Sequence, residues 1–461
     1  MQLSNIKKVY FLGIGGIGMS ALARYFMLRG CTVAGYDRTK TELTAALERE
    51  GMLVHYSDDL QTLKKVMAEP DLIIYTPAVS KNEPNHTEFN YLKNSGVPMK
   101  KRAEVLGIIS KGMKCLAVAG THGKTSTSTL LTHILRVGGV DCTAFLGGIS
   151  NDLESNFVFG TSDYVVVEAD EYDRSFLHLQ PEIAIINSMD PDHLDIYGTP
   201  EEMRRTYRKF AHQTQRHLFF RSDLKVILNK KAFFEKQDTA LQYSKFDIEK
   251  GDYQARNIRV ENGFFYFDLK SPVEDVANIQ MSLPGKHNIL NATAAAAAAQ
   301  QVGVTGDKIR EALGSFKGIH RRFEFVVRTK ERVVIDDYAH HPDELNAAIT
   351  AAKMLYPDKK ITGVFQPHLF SRTRDFLDGF AESLDALDVP ILLPIYPARE
   401  QQADFEGVSS ELILNKMHSN NKILLSKEQF LQYITEQNFE VLLILGAGDI
   451  DKIVAEVARI A

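Results

Sequence analysis

The sequence has few cysteines and no long apolar or basic run, and each absence excludes a class of protein. Cys31, Cys115 and Cys142 are far apart and odd in number, so they form neither a disulfide framework nor a metal cluster and indicate a reducing compartment. No apolar run approaches the roughly 20 residues that span a bilayer, and the first residues lack a secretory pattern. The net charge is −5, which gives no sign of a nucleic-acid surface. We therefore expect a cytoplasmic protein without a membrane or nucleic-acid partner.

The length of 461 residues exceeds what one ordinary hydrophobic core uses, so two to four domains are expected. Short apolar strands alternate with helical patterns at both ends of the chain, which is typical of parallel, doubly wound α/β sheets. A more irregular, β-rich part lies around residues 257–269. Changes of pattern predict three α/β domains, at residues 1–102, 103–317 and 318–461.

The stretch GTHGKTS follows an apolar strand pattern and precedes a helical one. A helix start offers unpaired N–H groups and the positive end of its dipole to a phosphate. Lys124 would neutralise phosphate charge, and Thr125 would give its hydroxyl to Mg²⁺. The early glycine is Gly120, whereas the usual spelling would place it at Val118, so an ordinary strand–helix turn is the alternative. The predicted loop comprises Gly120, Thr121, His122, Gly123, Lys124, Thr125 and Ser126.

Acidic residues and a histidine follow two further strand patterns. Glu168 stands just past an apolar run, where nucleotide-binding sheets commonly place a Mg²⁺ carboxylate. His193 follows another strand and is a second candidate metal ligand. For Asp170, Glu171 and Asp173 we expect only a solvated acidic loop.

The N-terminal GIGGIG satisfies the dinucleotide fingerprint at Gly13, Gly15 and Gly18, and Asp37 ends the next strand pattern. This arrangement predicts a diphosphate on the helix that starts near Ile17. It does not identify the nucleotide, so a nicotinamide-dependent oxidoreductase is a rival function. Two phosphate sites in successive domains favour two nucleotide-like ligands instead.

Together these motifs resemble the Mur ligase family, in which the early loop glycine stands three residues before the second one. The same family carries, in this order, EADEYDRSFLHLQP, DPDHLDIYG, GKHNILNATAA, HRRFE and DDYAHHPDE. The stretches YFLGIGGIGMSALA and FQPHLFSRTRDF are most similar to its alanine-adding member. The resemblance covers essentially the whole chain.

The resemblance implies a Rossmann-like N-terminal domain for a UDP-sugar, a central ATPase domain of the P-loop type, and a Rossmann-like C-terminal domain for an amino acid. It implies a C–N-forming ligase of peptidoglycan precursor synthesis that uses ATP and Mg²⁺. L-alanine would be joined to the lactyl carboxylate of UDP-N-acetylmuramate through an acyl phosphate. A recycling ligase that attaches an intact peptide to the same sugar nucleotide is the alternative. Both a monomer and a homodimer stay open.

The resemblance also assigns residues. The UDP-sugar would contact Gly15, Gly16, Ile17, Gly18 and Asp37. ATP would be completed by Asn291 at the adenine and by Arg322 and Asp337, with Arg322 preferred to Arg321 for its spacing to Glu324. Catalysis would use Lys124, Glu168, His193 and Arg322, with the metal on Thr125, Glu168 and His193. The amino acid would meet Tyr338, His340, His341, His368 and Arg372. The last two lie with Arg374 on a predicted loop that leads into a helix, and Arg374 is either a further contact or a surface ion pair. The carbamylated lysine of the sister enzymes has no clear counterpart.

Overall fold

The computed structural model describes residues 3–77, 79, 86–192, 194–224, 241–398 and 400–461. Its chain divides into two compact units. The first comprises Met1–Arg256, Leu269–Ala277 and Leu290–Leu313, and the second comprises Asn257–Asp268, Asn278–Ile289 and Gly314–Ala461. No helix within the described residues is both long and apolar enough to cross a membrane.

The first sheet has five parallel strands in the order β3-β2-β1-β4-β5. The strands are β1 Lys8–Leu12, β2 Thr32–Tyr36, β3 Leu53–His55, β4 Leu72–Tyr75 and β5 Met99–Lys101. Helices follow at Ile17–Leu28, Glu42–Arg49, Leu60–Met67, Thr87–Lys93 and Arg102–Lys111. Val9 and Phe11 enter one hydrophobic cluster and Tyr10 and Leu12 another. Both faces of β1 are therefore covered, as is usual for a parallel sheet.

The second sheet has ten strands in the order β15-β14-β13-β12-β11-β10-β6-β9-β7-β8. The strands are β6 Lys114–Ala119, β7 Thr143–Ser150, β8 Ser155–Val158, β9 Tyr164–Glu168, β10 Ile183–Ile186, β11 His217–Arg221, β12 Gln242–Ile248, β13 Tyr253–Glu261, β14 Phe264–Lys270 and β15 Val276–Met281. The helices are Lys124–Val137, Leu194–Tyr197, Pro200–His212, Lys286–Gln301 and Gly306–Ser315, with a 3₁₀ segment at Tyr172–His178. Because β6 pairs in parallel with β10 and β9, the carboxyl ends of these three strands lie side by side.

The third sheet has six strands in the order β16-β17-β21-β18-β19-β20. They are β16 Glu324–Arg328, β17 Val333–Asp337, β18 Ile361–Phe365, β19 Val389–Leu392, β20 Ile423–Leu424 and β21 Val441–Leu445, and β16 alone of these runs antiparallel to its neighbour. The helices are Pro342–Leu355, Phe370–Asp375, Leu377–Leu384, Ser410–Lys416, Lys427–Glu436 and Val454–Ile460. Shorter 3₁₀ segments lie at Leu3–Asn5, Gln402–Asp404 and Asp449–Ile453.

One local expectation for this sheet is wrong. Arg372 and Arg374 were expected on a loop, but both lie within the helix Phe370–Asp375. That helix begins after Leu369, which has a φ of +70°. A turn this sharp lets a new helix start after only four intervening residues, 366–369, so the loop is shorter than the sequence pattern indicated.

Candidate active site

The phosphate loop joins β6 to the helix that begins at Lys124. Gly120 and Gly123 have φ values of +140° and +77°, which side chains strain to adopt. A Cβ atom on Gly120 would lie 2.9 Å from the Ser188 nitrogen, and one on Gly123 would overlap the Asn291 Oδ1 atom. The displaced early glycine therefore has a steric reason, and Asn291, the residue predicted to face the adenine, packs against this loop.

The residues after β10 hold the loop through hydroxyl and amide groups. The Ser188 Oγ atom lies 2.9 Å from Thr121 Oγ1 and accepts the His122 N–H at 2.8 Å. The Asn187 amide donates to Thr127 Oγ1 at 2.8 Å, inside the helix that follows the loop. Asn187 and Ser188 were not predicted to contact the loop. They directly follow β10, which pairs with β6, and short polar residues at that position are the sequence signal that could have singled them out.

The Lys124 ammonium is held by its own loop and by a buried acid. It donates to the Gly120 carbonyl at 2.6 Å and lies 2.8 Å from Glu171 Oε2. Burial alone would lower the pKa of Lys124, but the charges of Glu171, Asp170 and Glu168 raise it above its usual range. The lysine therefore keeps its positive charge at every physiological pH.

The expected solvated acidic loop is wrong for Glu171. Glu171 is 1% exposed and is the counter-charge of the loop lysine. Asp170 and Asp173 are half-buried, and they bond Arg102 at 3.2 Å and Lys101 at 2.8 Å. A buried lysine needs an acid nearby, and that requirement is the signal that could have singled out Glu171.

Glu168 ends β9 beside a cleft of about 260 Å³. Its Oε2 atom accepts the Gly147 N–H at 3.0 Å. The cleft is lined by this carboxylate, by Asp170 and by residues 16–18 of the N-terminal glycine turn. The structure thus brings the predicted sugar-nucleotide turn and the predicted metal carboxylate to one cavity.

The glycine turn itself is braced by Asp37 and by an unpredicted arginine. Asp37 Oδ2 accepts the Gly15 N–H at 2.7 Å, so this carboxylate bonds the turn. A Cβ atom on Gly15 would lie 2.8 Å from the same oxygen. A Cβ atom on Gly18 would overlap Arg102 Nη1 and lie 3.1 Å from its Cδ and Cζ atoms. The sequence pattern did not single out Arg102, because it is the last residue of the first predicted domain, at the boundary with the second.

The groups near Lys124 suit a hard divalent cation. Glu168 supplies carboxylate oxygens, and Thr125, 7% exposed, lies one residue after the loop lysine. Mg²⁺ prefers such oxygen ligands, so these residues fit the predicted metal. His193, the third predicted ligand, lies outside the described residues.

In the second unit, the two arginines of HRRFE have different surroundings. Arg321 is 7% exposed, and it donates to Asp336 Oδ2 at 3.2 Å and to the Gly446 carbonyl at 2.5 Å. The Arg322 guanidinium is half-buried and lies over the Tyr338 ring, 5.1 Å from its centre. Arg321 also lies over this ring, 5.4 Å from its centre, so the two arginines differ in burial and in the hydrogen bonds that Arg321 makes.

Asp337 fixes the segment that carries Arg322. Its two oxygens accept the N–H groups of Phe323 and Ala339, each at 2.8 Å. Arg321 and Phe323, on either side of Arg322, have φ values of +58° and +48°. Burial raises the pKa of Asp337 to about 6, against the opposing charge of Arg322. The carboxylate therefore holds a strained turn in place.

Four of the five predicted amino-acid residues, Tyr338, His340, His368 and Arg372, form one cluster at the ends of β17 and β18. The His340 and His368 ring centres are 6.2 Å apart, and Arg372 Nη1 lies 3.5 Å from His368 Nδ1. Burial lowers the pKa of His340, whose Nδ1 atom is 2.9 Å from the Tyr338 carbonyl. Tyr396 was missed: its ring stacks on His368 at 5.8 Å. The signal for it was its position just past β19.

Two other candidates, His341 and Arg374, have partners of a different kind. His341 caps the helix Pro342–Leu355, and its ring packs on Phe376 at 4.6 Å. Arg374 pairs with Asp375 at 2.8 Å, and its side chain is 58% exposed. The surface ion pair is therefore the arrangement that the structure shows for Arg374.

Known proteins match the chain along its length. The Mur ligase family catalytic-domain model matches residues 8–114, the Mur ligase middle-domain model residues 118–299, and the Mur ligase glutamate ligase-domain model residues 321–448. A UDP-N-acetylmuramate–L-alanine ligase from Christiangramia forsetii is 47% identical, over 99% of this chain and 98% of that protein. One from Porphyromonas gingivalis is 48% identical, over 98% of this chain and 99% of that protein.

Solved structures give the same picture. The UDP-N-acetylmuramate–alanine ligase of Thermotoga maritima superposes with a TM-score of 0.81 at 28% identity, covering 98% of both chains. A murein peptide ligase from Psychrobacter arcticus has a TM-score of 0.70 at 23% identity, covering 98% of both chains, and shows the shared fold alone. The predicted three-domain α/β architecture is confirmed, while the domain boundaries stay predictions.

Proposed function

The chain belongs to the Mur ligase family, and from this premise we propose that it joins L-alanine to the lactyl carboxylate of UDP-N-acetylmuramate in an ATP-dependent reaction. The observation that carries the proposal is the identity of 47–48% to alanine ligases over nearly the whole chain. The cleft that joins the glycine turn to Glu168 supports it, because a sugar nucleotide and a phosphoryl donor must meet. The product would be a peptidoglycan precursor, and we place the reaction in the cytoplasm.

The chemistry requires activation of a carboxylate, which is a poor electrophile at neutral pH. The lactyl oxygen would attack the γ-phosphorus, and the bond from that phosphorus to ADP would break. The alanine nitrogen would then attack the acyl carbon, expel phosphate and lose a proton. The phosphoryl group carries negative charge throughout, so fixed cations aimed at it lower the barrier. Lys124, held charged beside Glu171, is suited to that role.

We assign Mg²⁺ to Thr125 and Glu168, with His193 as a further predicted ligand. Both described residues offer the oxygen donors that this cation prefers. When bound, Mg²⁺ would neutralise the phosphate oxygens of ATP. Asn291, which packs on the phosphate loop, stays our candidate for the adenine, and Arg322 and Asp337 stay predicted ATP residues.

We assign the amino acid to the cluster in the second unit. Its carboxylate needs a fixed guanidinium, and Arg372 lies beside the His368 ring in a short helix. Tyr338 and His340 belong to the same cluster, and the stacked ring of Tyr396 joins them. His341 is a weaker candidate because it serves as a helix cap.

The decisive experiment compares amine donors. Phosphate release is measured with ATP, Mg²⁺ and UDP-N-acetylmuramate, and with either L-alanine or an L-Ala-γ-D-Glu-diamino-acid tripeptide. We expect L-alanine to be ligated faster, with glycine and L-serine as poorer donors, since a pocket discriminates a methyl group by about 1–3 kcal/mol. Faster ligation of the tripeptide would make the chain a recycling ligase. Tight binding of NADH without binding of the UDP-sugar would refute the ligase function and favour a nicotinamide-dependent oxidoreductase.

Glu168→Gln should raise the Mg²⁺ concentration needed for half-maximal activity, because the substitution keeps the size of the ligand and removes its charge. Activity is measured across a Mg²⁺ series at saturating ATP. Glu182→Gln is the matched control. Glu182 directly precedes β10, at the amino ends of the strands and therefore away from Glu168, and it pairs with Arg216 at 3.2 Å. An unchanged Mg²⁺ dependence in Glu168→Gln would remove this carboxylate from the metal site.

A further inference from the structure

Arg102 occupies the space that the last glycine of the N-terminal fingerprint leaves open. It begins the helix Arg102–Lys111, directly after β5. A Cβ atom on Gly18 would overlap its Nη1 atom. In a dinucleotide fingerprint the third glycine lets helix and strand pack closely. Here the absent side chain makes room for a guanidinium.

The cleft needs a cation, and Arg102 supplies it. The described residues that line this cavity include two acids, Glu168 and Asp170, and one basic side chain, Arg102. The proposed sugar nucleotide brings a diphosphate and a carboxylate into the same cavity. These groups would carry further negative charge into a cavity that two acids already line.

Most N–H groups of the Arg102 guanidinium have no hydrogen-bond acceptor among the described residues. Within the described residues, Asp170 Oδ2 is its one hydrogen-bond acceptor, at 3.2 Å from Nη2. An arginine offers five N–H donors in a planar fork that matches a carboxylate. The side chain is 22% exposed, so the remaining donors are reachable from the cleft. Arg102 already bonds one carboxylate loosely and has the geometry to bond another.

We propose that Arg102 binds the lactyl carboxylate of the sugar nucleotide and aims it at the phosphoryl group. The proposal rests on the proposed function. The first backbone N–H groups of the helix Ile17–Leu28 would serve the diphosphate. Arg102 lies beyond that turn, between Gly18 and Asp170, on the side of Glu168. The carboxylate is the anionic group of the substrate that has to reach that side.

The test separates the carboxylate from the diphosphate. Binding of UDP-N-acetylmuramate and of UDP-N-acetylglucosamine, which has the same uridine diphosphate and amino sugar without the lactyl group, is measured by calorimetry. Arg102→Ala should raise the dissociation constant of UDP-N-acetylmuramate about 10- to 100-fold, as expected for loss of a charge-assisted contact. The dissociation constant of UDP-N-acetylglucosamine should change less than about threefold.

Arg102→Lys should give an intermediate loss, because an ammonium keeps the charge and lacks the fork. Thermal unfolding shows whether Arg102→Ala folds. If it does not, the dissociation constants of Arg102→Lys test the proposal in its place. Lys101→Met is the control: it removes the neighbouring ion pair to Asp173 at 2.8 Å and should alter neither dissociation constant.

Equal losses for both sugar nucleotides would show that Arg102 holds the diphosphate, and no loss for either would show a structural role. Both results overturn the proposal. Failure of the unsubstituted protein to bind UDP-N-acetylmuramate is a separate outcome, since it would refute the proposed function itself.

Discussion

Lys124→Met should lower the turnover number about a hundredfold or more, because one well-placed electrostatic group commonly contributes that much to the rate. Methionine keeps the length of the side chain and removes the charge beside Glu171. Phosphate release at saturating substrates measures the effect. Binding of UDP-N-acetylmuramate should stay within about twofold, because its predicted turn precedes β2 in a different sheet.

The matched control is Lys114→Met. Lys114 is the first residue of β6, the strand whose other end leads into the phosphate loop, and it pairs with Asp163 at 2.9 Å on the surface. An exposed pair of this kind contributes little, so turnover should be unchanged. Near-native turnover in Lys124→Met would show that the loop does not handle the transferred phosphoryl group.

The local geometry of the phosphate loop was predictable because it depends on neighbours in sequence. An apolar strand, two glycines and a helical pattern stand within residues 114–137, and the structure has β6, the turn and the helix there. The same holds for the glycine turn after β1. Such arrangements follow from backbone conformations that only glycine adopts easily.

The charge partners of these loops were not predictable, because they depend on distant parts of the chain. Glu171 reaches Lys124 from 47 residues away and is buried just before the 3₁₀ segment Tyr172–His178. Arg102 reaches Asp170 from 68 residues away. A pattern of acidic residues alone indicates a solvated loop, and only the tertiary fold reveals the cation beneath it.

In the second unit the sequence pattern predicted that the candidates follow neighbouring strands, but it did not rank them. Arg321 and Arg322 are adjacent and chemically identical, but Arg321 has a positive φ value and Arg322 does not, so their side chains leave the turn in different directions. Arg321 consequently points to Asp336 and Gly446. Tyr396 was not predicted because a tyrosine after a strand is common. Its stacking on His368 joins two separate loops, and the sequence pattern does not reveal such a contact.

Gly123→Ala should lower kcat/KM for ATP about a hundredfold, the scale expected when a catalytic loop is misplaced by about 1 Å. The reason is steric as well as conformational. Its φ is +77°, and a Cβ atom there would overlap Asn291 Oδ1 and lie 3.0 Å from Asn187 Nδ2. Either the loop or the helix Lys286–Gln301 has to move. Initial rates across an ATP series measure the loss.

Gly139→Ala separates the two causes. Gly139 has nearly the same φ, +78°, and apart from its chain neighbours no atom of the described residues lies within 4 Å of the position that a Cβ atom would take. It follows the helix Lys124–Val137 at the end away from the loop. It should show only the conformational cost, about 1–2 kcal/mol in the free energy of unfolding, with kcat/KM for ATP unchanged in the folded protein. Comparable losses of kcat/KM in both variants would mean that global destabilisation explains the effect. A large loss confined to Gly123→Ala would instead locate it in the contact between the phosphate loop and Asn291, the residue proposed to face the adenine.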